Sequence, residues 1–189
     1  MKDSLLYRTI RPILNIFTMI YIRPKYIGLE NIPKEGRIIL AGIHTSILDP
    51  LVLIKSTKRQ IHFLAKDELW KGPKKIIFSN LGLIPVNRRE KDKFALKEAK
   101  KYLENEKIIG IFPEGTTEKG RGLLPFKIGA VKLAKDTNTK IVPFVIKGSY
   151  KPFKRVTIIF DKPIIIKKDN LDIENKKLRD TIIKIQKEA

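Results

Sequence analysis

Residues 38–50 read Ile38-Ile39-Leu40-Ala41-Gly42-Ile43-His44-Thr45-Ser46-Ile47-Leu48-Asp49-Pro50, and the first half of that stretch decides the fold. A short apolar run rich in β-branched residues, without polar alternation, is what a strand covered on both faces requires. Ile38 to Ile43 is therefore expected as a buried strand. His44 then falls at the strand's C-terminal end, where open α/β sheets place their ligands. From Ser46 the pattern turns helical. Ser46 with Asp49 three residues on has the form of a capping box, and Pro50 suits a first turn whose N–H groups lack partners anyway.

An aspartate so placed can accept a hydrogen bond from one ring nitrogen of His44. That fixes the tautomer and leaves the other nitrogen to take a proton from a hydroxyl. The plainer alternative is a helix cap beside an incidental histidine, and the spacing alone does not choose between the two.

Upstream, residues 5–22 carry Leu6, Ile10, Ile13, Leu14, Phe17, Ile20 and Tyr21 at helical spacing, with Arg8, Arg11, Asn15 and Thr18 elsewhere on the wheel. The uncharged run Pro12 to Ile22 is too short to span a bilayer and lacks the small-residue site of a cleaved signal. Residues 1–25 are expected as an amphipathic helix at a membrane interface, its apolar face in the acyl boundary and Arg8, Arg11, Arg23 and Lys25 near anionic headgroups. The alternative is a helix packed on the domain's own core.

The chain has 189 residues, 42% of them hydrophobic, which fits one domain, taken as residues 26–189. It contains no cysteine, so disulfides, thiolate metal sites and a cysteine nucleophile are excluded. A formal charge of +20 calls for an anionic partner: nucleic acid, an anionic bilayer surface or a phosphorylated substrate. Only ten of the forty basic residues are Arg, the residue that leads in reading bases, so no specific nucleic acid is expected. Lysine in this excess also suits a merely solvated surface.

Downstream, strands and helices alternate. Ile61 to Leu64 reads as a strand leading to Lys66, either a phosphate ligand or a surface lysine, and His62 inside it as a structural histidine. Lys74 to Asn80 reads as a helix, and Gly82 to Val86 as a buried strand running into Arg88 and Arg89. Arg suits a phosphate monoester because its planar fork donates two hydrogen bonds at once. Asp92 to Lys107 is amphipathic. Ile108 to Phe112 leads into Pro113-Glu114-Gly115-Thr116, a tight turn that presents Glu114 and backbone N–H groups to a cleft. Leu124 to about Asp136 reads as a helix, and Ile141 to Ile146 as a strand whose Pro143 marks an edge or bulge. Arg155 to Ile166 reads as paired strands broken at Asp161-Lys162-Pro163, and Glu174 to Lys187 as a terminal helix. The expected architecture is a single α/β domain with a mostly parallel central sheet flanked by helices.

Four blocks stand in order: His44-Thr45-Ser46-Ile47-Leu48-Asp49, Gly82-Leu83-Ile84-Pro85-Val86-Asn87-Arg88, Phe112-Pro113-Glu114-Gly115-Thr116 and Ile141-Val142-Pro143-Phe144. Together they resemble the glycerolipid acyltransferases, most closely bacterial 1-acylglycerol-3-phosphate acyltransferases, over roughly residues 26–150. The resemblance implies that His44 is the general base for the acceptor hydroxyl and that Asp49 orients it. The hydroxyl would attack the thioester of acyl-CoA or acyl carrier protein directly, with no acyl-enzyme, metal or cofactor. It further implies that Lys66, Arg88, Glu114, Gly115 and Thr116 hold the acceptor, a lysophospholipid whose acylation gives phosphatidic acid in phospholipid synthesis. It places the protein peripherally on the cytoplasmic face of a membrane.

One departure bears on the acceptor. Members acting on 1-acylglycerol-3-phosphate usually carry Arg directly after the Gly-Thr of the third block. This chain has Thr117, leaving Arg121 or Lys119 to reach the phosphate from the loop, or the acceptor to be another lysolipid. A non-catalytic basic module binding membrane or nucleic acid is the rival from a different class.

Overall fold

The computed structural model describes residues 5–70, 74–86, 93–116, 124–151, 154–167 and 170–188. Seven strands form the sheet: β1 (Lys25–Ile27), β2 (Ile38–Gly42), β3 (Ile61–Lys66), β4 (Ile84–Val86), β5 (Ile108–Ile111), β6 (Lys140–Gly148) and β7 (Val156–Phe160). The α-helices among the described residues are α1 (Leu5–Phe17), α2 (Asp49–Ser56), α3 (Lys74–Asn80), α4 (Lys93–Glu104), α5 (Gly129–Asp136) and α6 (Leu171–Glu188). The strand order is β1-β7-β6-β2-β5-β3-β4, parallel throughout except for the β6–β7 pair. The expected mostly parallel α/β domain is what the chain adopts.

All five residues of β2 are buried, as the uninterrupted apolar run requires. Ile39 and Ala41 face α4, α5 and α6, in a core with Ala99, Leu103, Val131 and Leu178. Ile38 and Leu40 face the opposite way, onto Val52 and Leu53 of α2 and onto Ile22. Each such isoleucine or leucine contributes about 1.5–3 kcal/mol relative to leaving it exposed.

This two-sided covering positions the site. The chain leaves β2 through α2 on one face toward β3, and leaves β5 through α5 on the other face toward β6. Since β2 and β5 are neighbours, the point where their outgoing connections part is the crevice of an open α/β sheet. His44 and the Pro113 turn flank it.

Several sequence expectations are corrected. Pro143 lies in an interior strand, opposite Ala41 of β2, not at an edge. Its carbonyl accepts the Asp161 N–H at 2.9 Å, just past the end of β7, so its missing donor faces a place where the ladder has already ended. Residues 155–166 do not pair with each other. β7 lies between β6 and β1, and Ile164 makes an isolated bridge to Ile141. The helix expected from Leu124 begins only at Gly129, because the Lys127 N–H is spent on the Pro113 carbonyl at 2.9 Å. His62 is buried as expected, its Nδ1 3.0 Å from the Gly82 carbonyl and its ring stacked on Tyr102.

The N-terminal segment runs as α1 and continues as a π-helical turn, Thr18–Ile22. Tyr7, Thr18 and Ile22 are buried, and Arg11 donates to the Thr57 carbonyl at 2.7 Å, so this segment packs on the domain. Its apolar stripe nevertheless splits. Leu6, Ile10 and Leu14 are half-buried, whereas Leu5, Ile13, Ile16, Phe17, Met19, Ile20 and Tyr21 are exposed. No described helix is long and apolar enough to cross a membrane.

Candidate active site

His44 follows β2 after the single residue Ile43, and the loop after it is wound around one carboxylate. Asp49 is fully buried. Its Oδ2 lies 2.9 Å from His44 Nδ1 and accepts the N–H groups of Thr45 at 2.6 Å and Ser46 at 2.9 Å. Its Oδ1 accepts the hydroxyls of Tyr150 at 2.6 Å and Thr45 at 3.1 Å. One half of the expected capping box is formed, and the other is shifted by one residue. Helix α2 starts at Asp49 itself, whose carboxylate reaches back to the Ser46 N–H, while Ser46 Oγ accepts the Leu48 N–H at 3.3 Å. Pro50 follows in the first turn, where it costs no helix hydrogen bond.

Burial, the largest single influence on Asp49, pushes its carboxyl upward. The hydrogen bonds from His44, Tyr150, Ser46 and Thr45 together outweigh it and hold the group below its ordinary value. The aspartate is therefore a fixed negative charge. Since a carboxylate can only accept, the Nδ1 facing it carries the ring proton, which leaves Nε2 with its lone pair. Nε2 has no hydrogen-bond partner among the described residues, and the side chain keeps 18% of its surface exposed. The ring lies flat on Phe112 at the end of β5, centroids 3.9 Å apart, which prevents it from turning.

The second wall is the turn after β5. The Gly115 N–H closes on the Phe112 carbonyl at 2.9 Å, and Gly115 has φ of +70°, a left-handed conformation that glycine adopts without strain. A Cβ there would also press on the Lys127 side chain, its Nζ 3.0 Å away. Glu114 accepts the Leu124 N–H through Oε2 at 3.2 Å, while Oε1 is buried without a partner among the described residues. Thr116 is half-buried beside it.

Lys66 is the last residue of β3, exposed at the same end of the sheet, with β5 between its strand and β2. The structure thus brings His44, Asp49 and the 113–116 turn together and leaves Lys66 at the same end of the sheet, one strand further on. Arg88 and Arg121 lie outside the described residues.

Sequence reasoning missed Tyr150. Strand β6 runs beside β2 with Phe144 opposite Gly42, continues to Gly148, and there reverses at a φ of +100°. The overhang returns Tyr150 onto the Asp49 carboxylate. Its only signal was a hydroxyl-bearing aromatic just past an apolar strand, and nothing local said that this strand would border β2.

An imidazole oriented by a buried carboxylate, at the switch point of a mostly parallel α/β sheet, has the geometry to accept a proton from a hydroxyl. The chain belongs to the acyltransferase family, whose family model matches residues 23–147. It is 36% identical over 142 residues to a 1-acyl-sn-glycerol-3-phosphate acyltransferase of Borreliella burgdorferi, covering 74% of this chain and 56% of that protein. It is 30% identical to the protein of the same name from Bacillus subtilis, covering 66% and 62%. The chain thus spans about half to three-fifths of the length of these relatives. Its fold matches the crystal structure of the 1-acyl-sn-glycerophosphate (LPA) acyltransferase, PlsC, from Thermotoga maritima, with a TM-score of 0.79, 23% identity, and coverage of 96% of this chain and 80% of that one.

Proposed function

We propose that the chain transfers a fatty acyl group from acyl-CoA or acyl carrier protein to the free hydroxyl of 1-acylglycerol-3-phosphate, giving phosphatidic acid. The observation that carries this is the 2.9 Å contact between His44 Nδ1 and Asp49, with Nε2 left open at the crevice. His44 Nε2 takes the acceptor's hydroxyl proton as its oxygen attacks the thioester carbonyl, and the carbon–sulfur bond breaks. The imidazolium, stabilised by Asp49, returns the proton to the departing thiolate. No acyl-enzyme, metal or cofactor enters this scheme. The acceptor phosphate is held by Lys66 with Arg88 and Arg121, and its glycerol by the Glu114-Gly115-Thr116 turn.

The names of the relatives favour this acceptor over other lysolipids. The test is purified protein with each donor and lysolipids differing only in headgroup. Turnover confined to the phosphate headgroup is expected, and preference for another headgroup would reassign the acceptor.

The same reading places residues 1–25 on the cytoplasmic leaflet, the exposed Leu5, Ile13, Ile16, Phe17 and Ile20 in the acyl boundary and the chain's +20 charge against anionic headgroups. Flotation with anionic vesicles should capture the protein and weaken as salt is raised. Undiminished binding to neutral vesicles, or none to anionic ones, would contradict it.

A further inference from the structure

We infer that Tyr150 is a positioning residue for His44, acting through the Asp49 carboxylate that both side chains share. The inference rests on His44 being the base. Tyr150 makes no hydrogen bond to the imidazole among the described residues. Its hydroxyl instead occupies Oδ1 of Asp49 at 2.6 Å, while His44 sits on Oδ2 at 2.9 Å. A short hydrogen bond to an ionised acceptor is among the strong ones, and in a buried network each bond alters the others. A donor on Oδ1 draws negative charge away from the imidazole, and with the Thr45 hydroxyl it fixes the carboxylate plane that aims Nε2.

Tyr150 is suited to a constant task. Burial first, then the charge of Asp49, pushes its phenol far up, so it remains a donor throughout the working range. The groups around it leave that role uncontested. Tyr26 on β1, also raised by burial, gives its own hydroxyl to the Val52 carbonyl at 2.8 Å. Phe112 covers the imidazole with an uncharged ring, and Glu114 beyond it makes no ion pair with His44. From α2 the facing charge is Asp49 itself.

The test is Tyr150→Phe, which keeps the ring and deletes the donor. With more charge left facing the imidazole, the acid limb of kcat/KM should move up by about half a pH unit or more. kcat on the plateau should fall about three- to tenfold with the acceptor KM unchanged. The same displacement should appear in a proton titration of the His44 ring followed by NMR, which is simple to assign because the chain has two histidines. That second readout needs no turnover, so it decides the role of Tyr150 even if the acyl-transfer reading fails.

Tyr150→3-fluorotyrosine, a stronger donor of nearly the same shape, should displace both curves in the opposite direction and covers the case in which Tyr150→Phe does not fold. Curves that stay at the wild-type position in the variants that fold, with activity lost only in proportion to folded protein, would overturn the inference.

Discussion

Adjacent strands deliver two carboxylates to the same end of the sheet, and the protein treats them oppositely. Asp49 receives hydrogen bonds from His44, Thr45, Ser46 and Tyr150, and it is wholly buried. Glu114 receives one, from the Leu124 backbone, and its other oxygen is buried without a described partner. A carboxylate saturated with donors is fixed and cannot take on a ligand, so its work is done on the side chain it holds. An acceptor left unpaired costs free energy unless something donates to it. On the proposed function, the contrast separates the part of the crevice that orients the base from the part left to receive the acceptor.

The largest effect expected falls on the base. His44→Ala should reduce kcat by about 10³-fold with the thermal melt close to wild type, since it removes proton transfer and little packing. Asp49→Asn comes next, at about 10²-fold, because an amide whose oxygen stays on the Thr45 and Ser46 N–H groups still accepts from Nδ1–H but carries no charge to stabilise the imidazolium. A Glu114→Gln variant tests the other half of the comparison. An amide whose oxygen stays on the Leu124 N–H turns a donor toward the crevice, so kcat/KM for the acceptor should fall about tenfold with kcat less affected. Loss of stability alone would make Glu114 a brace for the turn.

The smallest effect is on acid stability. Asp49 ionises lower in the folded chain than in the unfolded one. Its contribution is therefore complete above about pH 4 and disappears as pH falls through the folded value. Chemical denaturation of Asp49→Asn across that range should show a flatter decline than wild type, and parallel curves would remove the linkage.

The same contrast explains what could be read from the sequence. The run from Ile38 to Asp49 was legible because its interactions are local: a doubly buried strand, a tight turn and a helix start, all within a dozen residues. The alternation of apolar runs and amphipathic stretches likewise yielded the parallel sheet. What escaped depends on distant pairing. Tyr150 meets Asp49 across 101 positions, and Pro143 is harmless inside the sheet only because β7 stops at Phe160. The helix at Leu124 was lost to a single long-range bond from Lys127 to Pro113. The apolar stripe of α1 was seen, but periodicity reports that a face is apolar without saying whether protein covers it.

The most direct test of the pair as one device is a double-variant cycle on turnover with 1-acylglycerol-3-phosphate, comparing His44→Ala, Asp49→Asn and both together. If Asp49 acts only through His44, the double variant turns over no more slowly than His44→Ala alone. A further drop of about 10²-fold, the two losses multiplying, would show that the carboxylate acts on the reaction independently of the histidine and contradict the account.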